Sequence, residues 1–326
     1  MKHTLAALVC LTGAFTAYPQ TQPAGTIEKA APELDTIVPA GARIEKLAGG
    51  FQFTEGPVWI RDGFLLFSDI PNNVINKWTP DGKVTLFRKG SGLSGAGSGL
   101  IGSNGLTLDK QGRLTICEHG NRRVTRLERD GKLTVLAGSY NGKRLNSPND
   151  AVYKSDGALY FTDPPYGLAK EDRDPKKELH FNGIYRLSGG QLQLIYEDLS
   201  RPNGIAFSPD EKILYVANSD EKRKIWMRFD VMPDGMIANG KVFHDVTSQT
   251  AEGLPDGMKV DSKGNLYCSG PGGIWIFSPQ GKHLGTIKPA EVPANCAWGD
   301  NDGKTLYMTA RTGLYRVRLN IRGIRP

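Results

Sequence analysis

The stretch Leu254-Pro255-Asp256-Gly257-Met258-Lys259-Val260 sets one carboxylate directly ahead of a short apolar, strand-like run. A Pro-Asp-Gly string is by itself a turn signal. Its weight comes from recurrence. Thr54-Glu55-Gly56-Pro57-Val58, Ser103-Asn104-Gly105-Leu106, Pro148-Asn149-Asp150-Ala151-Val152, Pro202-Asn203-Gly204-Ile205 and Ala294-Asn295-Cys296-Ala297 each place an oxygen-bearing side chain just before a similar run. Positions 55, 104, 149, 203, 256 and 295 are spaced by 49, 45, 54, 53 and 39 residues. Such periods in a strand-rich chain indicate repeated four-stranded sheets.

Each unit repeats the same grammar. A tight turn such as Asp62-Gly63, Gln111-Gly112 or Asp156-Gly157 leads to a second apolar run, for example Phe64–Phe67, Leu114–Ile116 or Leu159–Phe161. A third, alternating strand follows (Val74–Trp78, Arg123–Leu127, Ile184–Leu187, Ile225–Phe229, Ile274–Phe277, Leu314–Val317), and a fourth follows in every unit but the last. The sixth unit ends after its third strand, and Ala42–Leu47, ahead of the first unit, is free to complete it. The expected fold is therefore all-β: a six-bladed β-propeller of four-stranded antiparallel blades, closed by an N-terminal strand joining the last blade. First strands line the central channel, which gathers the six polar positions at one mouth. Two polar insertions, 91–99 and 164–181, are expected to be loops, and their length suits a partial lid over the channel.

The whole 326-residue chain fits one large β domain over residues 40–326, and 40 Gly and 20 Pro suit many turns. Residues 1–17 read as a signal peptide: Lys2 and His3 precede an apolar run at 5–11, then small residues through Ala17. That run is too short for a membrane span, so a periplasmic or secreted protein is expected. Residues 18–39, polar and Pro-rich, are expected to form a flexible leader. The net charge of +7 falls to +6 without Lys2 and is spread thinly, with no nucleic-acid module. A monomer or weak dimer is expected. Cys117, Cys268 and Cys296 lie in or beside apolar runs and read as buried thiols, with one pairing left open.

Glu55 and Asp256 bring two negative charges to the mouth; Asn149 and Asn203 bring neutral carbonyl oxygens. This all-oxygen set suits one hard divalent cation, Ca²⁺ first, with Mg²⁺, Mn²⁺ or Zn²⁺ as alternatives. Taken singly, each position is equally an ordinary turn residue; six in register point to a site. Asn104 is placed to contact a substrate, and His119, at the end of a second strand, to act as base or hydrogen-bonding group. Asp163, Tyr166 and Arg311 follow second strands and are further substrate-binding candidates.

Glu55-Gly56-Pro57-Val58-Trp59, Pro148-Asn149-Asp150, Pro202-Asn203-Gly204 and Pro255-Asp256-Gly257-Met258 together resemble the senescence-marker-protein/regucalcin/gluconolactonase family over about residues 40–320. Cys117–Val124 and Thr162–Leu168 resemble its bacterial gluconolactonase branch. The resemblance implies a six-bladed propeller with Glu55, Asn149, Asn203 and Asp256 as metal ligands. It implies hydrolysis of a sugar lactone, with Asp256 both ligand and catalytic carboxylate, as base or nucleophile. Animal members carry an Arg two residues before the position of Asn149; here it is Ser147, so their substrate contacts do not transfer whole. A phosphotriesterase or other esterase on the same site, or a non-catalytic binding propeller, are the alternatives.

Overall fold

The computed structural model describes residues 24–95 and 97–326. The expected signal peptide and the start of the leader lie outside these residues. Blade 1 comprises Thr54–Ile60, Phe64–Asp69, Val74–Trp78 and Val84–Lys89, in that order from channel to rim. Blade 2 follows with Ser103–Leu108, Leu114–Glu118, Arg123–Leu127 and Leu133–Ala137. Blade 3 has Ala151–Tyr153, Leu159–Asp163, Gly183–Ser188 and Gln191–Tyr196; blade 4 has Pro202–Phe207, Ile213–Asp220, Arg223–Val231 and Ile237–Asp245. Blade 5 contributes Met258–Val260, Leu266–Gly270, Gly273–Phe277 and His283–Pro289. Blade 6 contributes Pro293–Gly299, Thr305–Ala310 and Gly313–Arg318, completed by the N-terminal strand Ile44–Gly49, which pairs antiparallel with Gly313–Arg318. The six-bladed propeller and its closing strand are as expected.

Apolar clusters fill the spaces between blades, because alternate residues of each strand face the neighbouring sheet. Tyr160 and Ile184 of blade 3, for instance, bury against Ile205, Leu214 and Phe229 of blade 4. Between the last and first blades the filling is aromatic: Trp59 stacks on Tyr307 at 5.4 Å, and Trp78 meets the same ring at 5.6 Å. Glu291 adds a polar clasp at the same closure. It binds Lys46 of the closing strand at 2.8 Å and accepts from Thr312 N and the Tyr315 hydroxyl at 2.8 and 2.6 Å.

The leader is a correction. From residue 24 onward it is ordered: Gly25–Lys29 pairs antiparallel with the outer strand of blade 5, Ile27 opposite Ile287, making that blade five-stranded. A 3₁₀ turn, Pro32–Thr36, then sends Leu34 and Ile37 into the cluster between blades 5 and 6. Polar composition hid three apolar residues, and those three provide the burial that holds the segment down. Cys117, Cys268 and Cys296 are buried free thiols. No helix among the described residues is long and apolar enough to cross a membrane.

Candidate active site

The six polar positions form a closed ring. Four lie at β-bulges of inner strands, where the ladder skips between Glu55 and Val58, Ser103 and Leu106, Pro202 and Ile205, and Pro293 and Asn295. A bulge leaves the extra residue unpaired and re-aims its side chain. Backbones of neighbouring units touch at these points. A Cβ on Gly56, whose φ is +52°, would stand 2.0 Å from Asn104 O, and one on Gly204 would stand 2.1 Å from Asp256 O. Only glycine permits such an approach.

Hydroxyls on the second strands of four blades tie them to the next blade's inner strand or the turn before it. Ser68 Oγ donates to Asn104 O at 2.8 Å, Thr162 Oγ1 to Asn203 O at 2.7 Å, and Ser269 Oγ to Ala294 O at 2.6 Å. Ser219 Oγ likewise donates to Pro255 O. Blade 2 carries Cys117 at the end of its second strand instead. The ring closes where Asn295 Nδ2 donates to Glu55 Oε2 at 2.9 Å. This hydroxyl series was legible in the sequence as a Ser or Thr ending the apolar second strand.

Glu55, Asn149 and Asn203 are buried, while Asp256 keeps partial access to the mouth. Asp150, one residue beyond Asn149, is a third carboxylate in the cluster and was not singled out from sequence. It accepts from its neighbour's Ala151 N at 2.9 Å and faces Asn295 Nδ2 at 3.5 Å. Burial, then Asp150, pushes the Glu55 carboxyl up to about 7, against the Gly56 N–H, Asn295 and Lys259. Burial, then Glu55 and Asp150, holds the Asp256 carboxyl well above the carboxylate range, against the Gly257 N–H and the Asn203 amide.

The cluster repels itself and lacks a positive partner in direct contact among the described residues. Asn203 donates through Nδ2 to Ser219 Oγ at 2.9 Å, which leaves its Oδ1 buried and unpartnered. No group of three or more His, Cys, Asp or Glu among the described residues is arranged to hold a metal, so an ion held here has to draw on Asn oxygens. Glu55, Asp256 and the unpartnered Asn203 Oδ1 offer oxygen only, as a hard cation requires.

His119, expected as base or hydrogen-bonding group, lies against Asn104. It is buried, with Nδ1 3.3 Å from Leu100 O and Nε2 3.2 Å from Asn104 Nδ2. A nitrogen facing a carbonyl must carry the proton, so Nδ1 donates and Nε2 accepts from Asn104. Burial lowers its pKa to about 4, which keeps the ring neutral. Asn104 Oδ1 is left buried and without a partner among the described residues.

Asp163, a further substrate-binding candidate, is held by backbone N–H groups. Its two oxygens accept Asn146 N and Ser147 N, each at 2.8 Å, clamping the loop that leads to Asn149. Asp69 does the same for Gln52 and Phe53 ahead of Glu55. Each oxygen of Asp163 thus holds one backbone N–H, which fixes the carboxylate against the loop. Ser147 pins the lid, donating to Pro164 O at 2.6 Å and accepting Gly167 N at 2.8 Å. That lid carries Tyr166, whose hydroxyl lies 3.5 Å from Ser219 O and whose pKa is raised by burial and then by Asp256. Tyr166 is thus at the site. Arg311 stands half-exposed with its side chain paired to Glu252, while its carbonyl accepts from Thr54 N and Oγ1 at 2.7 and 3.1 Å, next to Glu55.

The sequence profile described as "SMP-30/Gluconolactonase/LRE-like region" matches residues 53–312. A gluconolactonase of Zymomonas mobilis is 42% identical, the match covering 90% of this chain and 86% of that protein. The structure of a gluconolactonase from Xanthomonas campestris, 34% identical, superposes with a TM-score of 0.79 over 91% of this chain and 95% of that one. A calcium-binding regucalcin from Agrobacterium tumefaciens, 20% identical, shares the fold, with a TM-score of 0.69 over 88% of this chain and 96% of its own. The ring of bulged acidic and amide residues, the closing N-terminal strand and these matches agree: the chain belongs to the SMP-30/gluconolactonase/LRE-like family.

Proposed function

We propose that this protein is a cation-dependent lactonase that opens a sugar lactone of the gluconolactone kind to its aldonic acid. One observation carries the site assignment: two buried Asn oxygens, Asn104 Oδ1 and Asn203 Oδ1, lack partners beside the Glu55–Asp256 carboxylates. Glu55, Asn149, Asn203 and Asp256 would hold the ion, with Ca²⁺ the first candidate. A divalent ion supplies Lewis-acid polarisation of the lactone carbonyl when bound.

The remaining steps belong to the chain. Asn104, oriented by His119, accepts a hydrogen bond from a sugar hydroxyl, and Tyr166 on the lid closes over the ring. Asp256, the partly accessible member of the set, takes a proton from the attacking water as that water adds to the carbonyl carbon. The ester C–O bond then breaks and the ring oxygen leaves as a hydroxyl, reclaiming the proton. Water and lactone thus give one hydroxy acid. Residues 1–17 assign this activity to the periplasm or the exterior, and sequencing the mature N-terminus tests that assignment.

The test is lactone hydrolysis by purified protein before and after chelation. Chelation should abolish turnover and Ca²⁺ should restore it. Full turnover by chelated Glu55→Ala protein would reject the assignment.

A further inference from the structure

The lid is tied to the blades on both sides of its root. Toward blades 2 and 3, Ser147 Oγ donates to Pro164 O at 2.6 Å and Arg122 Nη1 to Lys176 O at 2.7 Å. Between these points lies the lid's 3₁₀ turn, Glu171–Arg173. Arg201, just ahead of the inner strand of blade 4, meets that turn. Its Nη2 donates to Glu171 Oε2 at 2.9 Å and its Nη1 to Asp172. Asp172 also accepts Asn182 Nδ2 at 3.1 Å and stands 3.7 Å from Lys177 Nζ. Asp220, which accepts Ser200 Oγ at 2.5 Å, adds a further negative charge on the blade 4 side.

Two features give this contact more weight than an ordinary surface ion pair. The Arg201 side chain is only 21% exposed, and its guanidinium fork holds two carboxylates at once. Glu171 has a φ of +47°, a left-handed conformation that a residue other than glycine keeps only where its surroundings hold it. The backbone of Arg201 leads on into the ring. Ser219 N donates to Arg201 O at 2.9 Å, and Asn203 Nδ2 donates to Ser219 Oγ at 2.9 Å. The Tyr166 hydroxyl lies 3.5 Å from Ser219 O. Both ends of the lid's contact with blade 4 therefore fall on the segment that carries Asn203.

We propose that Arg201 is the positioning residue of the lid: its pairs with Glu171 and Asp172 hold the lid closed and seat Tyr166 at the mouth. This rests on the lactonase reading of the site. Apparent affinity falls with the fraction of molecules in the competent, closed state, whereas turnover at saturation does not. The latch is thus read in KM and not in kcat.

The experiment uses the full-length wild type, Arg201→Met, the lid variant Glu171→Gln/Asp172→Asn, and the triple variant that combines them. Lactone hydrolysis and amide hydrogen exchange over 166–173 are measured on each. Arg201→Met and the lid variant should each raise KM by about three- to tenfold, with kcat nearly unchanged and faster exchange in the lid. The triple variant should be no worse than either, because all three substitutions break one contact. Unchanged KM and exchange in both arms would overturn the proposal. So would a change confined to Arg201→Met, since Arg201 would then act on Asn203 and not through the lid. Should Arg201→Met fail to fold, the lid variant, which leaves blade 4 intact, decides alone. A wild type that opens no lactone would overturn the functional reading, and lid exchange in the two variants would still uphold or overturn the latch.

Discussion

At the scale of single residues, the site divides into groups that meet the reactants and groups that hold them. Asp256→Asn should lower kcat by about 10²- to 10⁴-fold, the range for loss of a general base, with steady-state lactone hydrolysis as the measure. His119 predicts a different signature. Its ring is neutral, with a pKa lowered to about 4, so it does not titrate where the enzyme works. His119→Ala should raise KM through a misplaced Asn104, by about tenfold, and leave the pH profile of kcat between about 5 and 8 unchanged. A lost limb in that profile would return His119 to proton transfer. Much of this division was illegible beforehand. The sequence marks His119 and Asp163 as polar groups at strand ends, and nothing in it tells that they bond to Leu100 O and Asn104, and to Asn146 N and Ser147 N, respectively. The places of Glu55, Asn203 and Asp256 at the channel ends of their blades were legible because their register repeats.

At the scale of elements, the inner three strands of each blade were readable from turn spacing and alternation, since their burial is regular. The N-terminal segment was not, because its apolar residues are few and irregularly placed. Leu34 is only 3% exposed, within the cluster joining blades 5 and 6. Leu34→Ala should cost about 2–4 kcal/mol of stability, measured by denaturant unfolding. Ring closure makes a second prediction. Although burial pushes Glu291 up, hydrogen bonds from Lys46, Thr312 and Tyr315 bring its carboxyl down to about 2. A lowered carboxyl stabilises above the ordinary value of 4.5, and that stability is lost as pH falls through about 2. Glu291→Gln should therefore lower the melting temperature at neutral pH and leave it nearly unchanged in strong acid. The group is partly exposed, so the loss should stay on the order of 1 kcal/mol.

For the whole molecule, the propeller is a device for bringing six sequence-distant turns to one mouth, at the cost of crowding carboxylates there. Without a cation beside it, Glu55 is pushed up to about 7 from an ordinary 4.5. The folded chain then holds a proton that the unfolded chain releases. That contribution to stability is complete below about pH 4.5 and is lost as pH rises through about 7. Chelated protein should accordingly melt at lower temperature at about pH 8 than at about pH 5.5, with Ca²⁺ closing the gap. Melting temperatures that ignore both pH and Ca²⁺ would show that the ring is no cation site.

The most direct test joins metal content to turnover in one preparation. Purified protein should carry close to one equivalent of divalent cation and hydrolyse gluconolactone. It should lose both on chelation and regain both with Ca²⁺, whereas Glu55→Ala should recover neither. Undiminished hydrolysis by the chelated, metal-free protein would contradict the account.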